Sequence, residues 1–268
     1  MLTMTDLSFF SQQLIIGKSF PQKIFLIKSF KEKTRQISNN DDYHEVNVSI
    51  IDDRFYWLYS SYGKPFPRAN HIVSTQDGNK TVNPRSTDQL EPNNQLFAVY
   101  DIDKENFYIS NQKQKSFFKN FFGKYTEEDV IIKDHYKSID EFLKVIESVE
   151  TITFTGSQNI FSNGGDIMEP LKNIFGYQQP EEFTIAAKYS AKKDFLIERI
   201  KSLFKKQQSS ELNKLVCIGK DDKGFTNIFN ANSFVAKFTI SSDKDEQSLF
   251  CEADVKNKIL DKLRGLNV

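Results

Sequence analysis

The stretch His44-Glu-Val46-Asn-Val48-Ser-Ile50-Ile-Asp52-Asp53-Arg-Phe55-Tyr56-Trp57-Leu58-Tyr59 decides the class of fold. Val46, Val48 and Ile50 alternate with other residues at a period of two, which puts them on one face of a strand. Asp52-Asp53 breaks the pattern with side chains that favour turns because they bond neighbouring backbone. The β-rich run Phe55 to Tyr59 follows at once, so the segment reads as a hairpin. A second hairpin is predicted where Leu96 to Ile102 faces Asn106 to Ser110 across Asp103-Lys104-Glu105.

Outward from these hairpins the texture changes. Lys23-Ile24-Phe25-Leu26-Ile27 reads as a short strand, while residues 63–94, rich in proline and asparagine, read as a long surface excursion. Phe117, Phe118, Phe121 and Phe122 recur at helical spacing, predicting a helix packed on a sheet. Residues 126–150 carry eight acids against three lysines, and Ser138-Ile-Asp-Glu141 is a capping box opening a helix to Ile146. Beyond it, strands are expected at Thr151–Phe154, Phe183–Lys188, Leu212–Gly219, Phe234–Ile240 and Ser248–Cys251. Helices are expected at Asp166–Phe175, Lys192–Lys206 and Asp254–Leu263. Strands and helices without a βαβ rhythm predict an α+β fold of mixed, mostly antiparallel sheets with packed helices. Two regions are expected: 1–149, rich in β-hairpins, and 150–268, carrying a basic helix.

At 268 residues the chain buries a sizeable core without a metal or disulfide. Its 36 basic and 36 acidic residues cancel, which excludes a surface covered in positive field. Cys217 and Cys251 sit in apolar runs and read as small core hydrophobes of a reducing compartment. The amino terminus lacks a basic region followed by an apolar run, so a cytoplasmic, unanchored protein is expected. The 25 phenylalanines read first as core and sheet, and base stacking as their minority use.

No reaction is named by any motif. His44, His71 and His135 stand outside metal-ligand or nucleophile patterns and read as surface or strand-edge imidazoles. Asp52-Asp53, Asp101 with Asp103, and Asp221-Asp222 are paired carboxylates of the kind that hold divalent metals in nucleases, yet each abuts a predicted turn. Asp101 and Asp103 share one strand face by spacing, making them the metal candidates of a nuclease alternative. Asn163-Gly164-Gly165-Asp166 precedes a helix without matching a phosphate-loop spacing, and Asn83-Pro84-Arg85 is either an anion clamp or a plain turn. No cofactor is implied.

The basic segments carry the functional lead. Residues 188–206 hold seven cations, Lys188, Lys192, Lys193, Arg199, Lys201, Lys205 and Lys206, against Asp194 and Glu198. Leu196, Ile200, Leu203 and Phe204 recur on one face, so the cations are expected on the solvent side of an amphipathic helix, forming one exposed ridge. A second basic stretch comprises Lys18, Lys23, Lys28, Lys31, Lys33 and Arg35, opposed only by Glu32. Such faces bind phosphates without regard to sequence and weaken steeply with salt, although most charged faces are merely solvated.

Gly164-Gly165-Asp166-Ile167 with Leu171-Lys172 and Gly176, Glu182-Phe183-Thr184-Ile185 before Lys192-Lys193-Asp194, Ser210-Glu211-Leu212, and the Lys220–Gly224 turn before a closing helix together form a layout. That layout resembles the RexA family of phage-exclusion sensors carried by lambdoid prophages. The hairpin at Phe55–Tyr59 and the strands Leu96–Val99 and Phe107–Ile109 fit it more loosely. Phe107-Tyr108-Ile109-Ser110-Asn111, followed by a Phe-rich helix, is similar to KwaB of the Kiwa defence system. The resemblance implies a cytoplasmic homodimer that binds DNA with little sequence preference and signals to a membrane protein partner in abortive infection. A metal-dependent nuclease effector and a protein-interaction module without nucleic acid are the alternatives.

Overall fold

A computed structural model describes residues 3–22, 25–26, 35–39, 41–136, 138–157, 182–209, 212–231 and 237–265. The helix expected at Asp166–Phe175, the Asn163–Asp166 turn and Lys23, Lys28, Lys31 and Lys33 lie outside these residues. In chain order the strands begin with β1 (Thr3–Ile16), β2 (Arg35–Asn39), β3 (Asp42–Ile51), β4 (Phe55–Gly63), β5 (His71–Val73) and β6 (Lys80–Val82). Then come β7 (Asn94–Asp101), β8 (Asn106–Ile109), helix α1 (Lys115–Thr126), β9 (Val130–Lys133), α2 (Ile139–Val145) and β10 (Ser148–Ser157). The rest are β11 (Glu182–Lys192), α3 (Ile197–Gln208), β12 (Leu212–Lys220), β13 (Thr226–Asn230), β14 (Lys237–Lys244) and α4 (Glu252–Gly265). The fold is α+β.

Two compact units divide the chain, and not by the single cut after residue 149 that the sequence suggests. Unit 1 comprises Met1–Ile16, Pro21–Ile132 and Lys237–Val268, whereas unit 2 comprises Gly17–Phe20 and Lys133–Ala236. The closing helix, expected in the second region, belongs to unit 1 because its strand neighbour β14 pairs with β1 from Thr3↔Lys244 to Phe10↔Lys237.

The large sheet of unit 1 runs β14-β1-β8-β7-β4-β3-β2, with β9 also on β1. Its central strands are buried on both faces, which is why β4 and β7 read as unbroken apolar runs. Tyr56, Leu58, Leu96, Ala98 and Tyr100 meet Phe117, Phe118, Phe121 and Phe122 of α1. Phe55, Trp57, Phe97 and Val99 meet Val255, Ile259, Leu260 and Leu263 of α4. Trp57 donates its Nε1 hydrogen to Glu252 Oε1 at 3.0 Å, satisfying the indole at that second layer. Toward the edge, β3 buries only alternate residues, as its period of two requires. The β3–β4 turn spans Asp52, Asp53 and Arg54 between the pair Ile51↔Phe55, with Asp52 and Asp53 in the left-handed region at φ 52° and 57° and Arg54 N–H closing onto Ile51 O at 3.1 Å.

Several expectations are corrected. Phe25 and Leu26 are helical rather than extended, with Leu26 N–H bonded to Gln22 O at 3.0 Å. Residues 248–251 form no strand: Asp245 Oδ1 accepts from the amides of Gln247 and Leu249, curling the segment, and only the bridge Lys244↔Phe250 remains. Cys217 is fully buried, and burial pushes its thiol up to about 12, but Cys251 is exposed. The excursion after β4 holds the exposed hairpin β5–β6, stitched at its base by Arg68, whose guanidinium donates to Asn83 O and Arg85 O. Arg85 itself donates to Pro65 O at 3.2 Å, so it closes this loop rather than standing ready as a clamp.

Unit 2 is built on the antiparallel sheet β11-β10-β12-β13. Ile139, Phe142, Leu143 and Ile146 from the α2 segment and Ile200 and Leu203 from α3 pack on Val149, Ile152, Leu215, Cys217 and Phe229. Ser138 caps α2 as its capping box predicts, accepting from Glu141 N at 3.1 Å.

Candidate nucleic-acid interface

The helix expected over Lys192–Lys206 is shorter and starts later. Residues 188–192 continue β11, pairing with β10 as far as Ser148↔Lys192 around a bulge, and a 3₁₀ turn at Lys193–Phe195 leads into α3. The helix starts where Leu196, Ile197, Ile200, Leu203 and Phe204 take up a 3.6-residue spacing over the unit 2 core.

Two of the seven cations therefore stand on a strand, one in a turn and four on α3. Lys188 lies between Ala187 and Tyr189, and because Tyr189 packs on the core beneath the helices, Lys188 leaves the sheet on the opposite face. Lys193 pairs with Glu147 and Lys201 with Asp140, each at 3.4 Å, so the acidic stretch before β10 balances two of the charges. Lys188, Lys192, Arg199, Lys205 and Lys206 are exposed and pair with no described acid. On α3, Arg199 and Lys206 share one flank at a spacing of seven, while Lys205 sits on the other with Lys201. The single ridge expected from the sequence is thus replaced by separate groups. Lys205 and Lys206 also occupy the last turn, where they complement the negative end of the helix dipole.

Sequence reasoning missed Phe195. Its ring is 82 % exposed, the largest such value among the exposed large hydrophobics described. One signal could have found it: Phe195 falls out of step with Leu196, Ile200 and Leu203, so the turn and helix that pack those three on the core leave it outside.

The other candidates are taken up by structure. Asp101 is fully buried and grips Arg54 through both oxygens, with Nε–Oδ1 at 2.9 Å and Nη2–Oδ2 at 2.6 Å. It also accepts from the amides of Asp103 and Lys104, so it caps the β7–β8 turn. Asp103 lies in that turn beyond the end of β7 rather than on a shared strand face, its carboxylate 66 % exposed. Asp221 accepts from the amides of Lys223 and Phe225, which makes Asp221-Asp222 a turn. Among the described residues no three His, Cys, Asp or Glu side chains gather as a metal site would require.

His44 is not at the surface. It is stacked between Tyr62 and Phe117, at centroid distances of 4.4 and 3.9 Å, with Nδ1 bonded to Ser60 Oγ at 3.0 Å. Burial holds its ring down at about 4. In unit 2, Lys133 and Tyr136 both donate to Asn227 Oδ1, whose amide donates in turn to Phe225 O at 2.8 Å. Burial lowers the Lys133 amine and raises the Tyr136 phenol to about 12. These bonds fasten residues 133–136 to β13.

No protein-family model and no curated protein matches this chain. No helix among the described residues is long and apolar enough to cross a membrane.

Proposed function

We propose that this protein is a cytoplasmic phage-exclusion protein that binds DNA with little sequence preference through unit 2 and passes the event to a partner protein, acting by binding rather than catalysis. The observation that carries the reading is the set of five exposed cations, Lys188, Lys192, Arg199, Lys205 and Lys206, without a described acid to neutralise them in a chain of zero net charge. Cations of this kind contact phosphates and release counterions, giving affinity without base readout. Because they form groups on two elements rather than a continuous stripe, the expected affinity is modest and strongly salt-dependent. The anti-phage role, the homodimer and the membrane partner come from the RexA-like layout.

The test is binding of labelled DNA of arbitrary sequence, offered as duplex and as single strand across a salt series. Charge reversal of Lys192, Arg199, Lys205 and Lys206 is expected to abolish binding. Absence of a complex with either form at low salt, or binding untouched by reversal, would overturn the DNA reading. The nuclease alternative has little support, since Asp101 is already engaged by Arg54 and two backbone amides.

A further inference from the structure

Phe195, Arg199, Ser202 and Lys206 follow one another at i, i+4, i+7 and i+11, the spacing that keeps residues on one face of a helix, and all four are exposed. Phe195 starts the line from the 3₁₀ turn just before α3, and the line extends roughly 16 Å at 1.5 Å per residue. On the opposite face Ile200, Leu203 and Phe204 anchor α3 to the unit 2 core, so the flank is presented on a fixed element.

A buried ring on this helix would need no explanation. Phe195, 82 % exposed between Lys192 and Arg199, does, because water disfavours its ring and no aromatic contact among the described residues holds it. Intact duplex offers such a ring little, since its bases are stacked on one another and a ring enters only by prising a base step apart at the cost of its stacking. Unpaired strand offers more: each base exposes a π-face that stacks on an aromatic side chain whatever its identity, while phosphates track nearby cations. We infer that this flank of α3 takes unpaired nucleic-acid strand, with a base stacked on Phe195 and backbone phosphates on Arg199 and Lys206. The inference rests on the DNA reading above and gives it a substrate class: single-stranded or locally opened DNA in preference to intact duplex.

The test uses the full chain and a fluorescein-labelled oligothymidylate of about 20 nucleotides, long enough for one site, with a duplex of equal length beside it. Anisotropy titrations are expected to show tighter binding of the strand. Phe195→Ala should weaken the strand about tenfold and leave the duplex unchanged, in line with the loss of one stacked base. Phe195→Trp should keep strand affinity and add a surface indole whose fluorescence the strand quenches and the duplex does not, a signal that a merely structural role would not produce. Equal affinity for the two forms with Phe195→Ala neutral would overturn this inference while leaving charge-dependent DNA binding intact. Absence of binding to either form would overturn both, and would leave Phe195 as a contact for a protein partner. Quenching of the Phe195→Trp indole by duplex as strongly as by strand would also overturn the preference for unpaired bases.

Discussion

Arg54 and Asp101 form a two-pronged ion pair at the base of the β7–β8 turn, with the carboxylate fully buried and the guanidinium 17 % exposed. The carboxylate raises the affinity of Arg54 for its proton, chiefly through the hydrogen bond between them. Removing one member of such a pair strands the other, a loss of about 3 kcal/mol or more. Asp101→Ala is therefore expected to lower the urea midpoint sharply, whereas Asp103→Ala, at an exposed carboxylate, should shift stability by less than about 0.5 kcal/mol. A nuclease built on Asp101 and Asp103 would instead lose magnesium- or manganese-dependent cleavage with both variants at unchanged stability.

His44 makes stability depend on pH. Its ring keeps off a proton in the folded state until about pH 4, against an ordinary value of 6.5 in the unfolded chain. Its contribution is complete above pH 6.5 and is lost as pH falls toward 4, because there the unfolded chain takes up a proton that the fold refuses. The difference amounts to about 3 kcal/mol. Urea titrations between pH 7 and 4.5 should show a steeper decline for the parent than for His44→Phe, which has no proton to gain. Equal slopes would mean that the ring is not held neutral.

Gly219 in β12 lies against the α2–β10 connection. A Cβ there would come within 2.5 Å of Ser148 O and 3.0 Å of Ile146 Cδ1, so backbone would have to move. Gly219→Ala should destabilise unit 2 by about 1–3 kcal/mol through overpacking. Hydrogen exchange should report the loss at β10 and β12 amides.

Phe118 of α1 is buried against the large sheet and meets Phe107 edge-on at 5.1 Å. Truncation leaves a cavity between helix and sheet, and Phe118→Ala is expected to cost about 3–5 kcal/mol. The corresponding change at exposed Phe195 should leave the thermal midpoint within about a degree or two of the parent. That contrast separates core rings from a ring kept for binding.

Each unpaired cation that contacts a phosphate should contribute about one unit to the slope of log affinity against log salt. Lys206→Gln should flatten the slope by that amount. Lys201→Gln, at a cation shared with Asp140, should change it less.

Legibility followed burial. β3 and β4 were readable because β3 has one wet face, the turn aspartates mark the hairpin, and α1 carries four phenylalanines at helical spacing. β1 was not: Ser11, Gln12 and Gln13 interrupt its apolar residues and are nevertheless buried, so its polar composition hides a central strand. The candidate site was legible as a list of cations and not as a surface. Whether Lys193 and Lys201 are free depends on Glu147 and Asp140, acids remote in sequence that only folding brings beside them. Whether Lys188 sides with the helix depends on a strand that runs four residues further than its alternation suggested.

Unit 2 is an insertion: the chain leaves the large sheet after β9 and returns to it as β14, whose one sheet partner among the described residues is β1, more than two hundred residues earlier. During synthesis the first strand must wait for more than two hundred further residues to emerge from the ribosome before its edge is covered. The inserted body, whose strands and helices are nearly all contiguous, can be complete by then. Truncation upstream of β14 would thus leave β1 as an open, adhesive border, and such fragments are expected to aggregate rather than accumulate as a folded first unit.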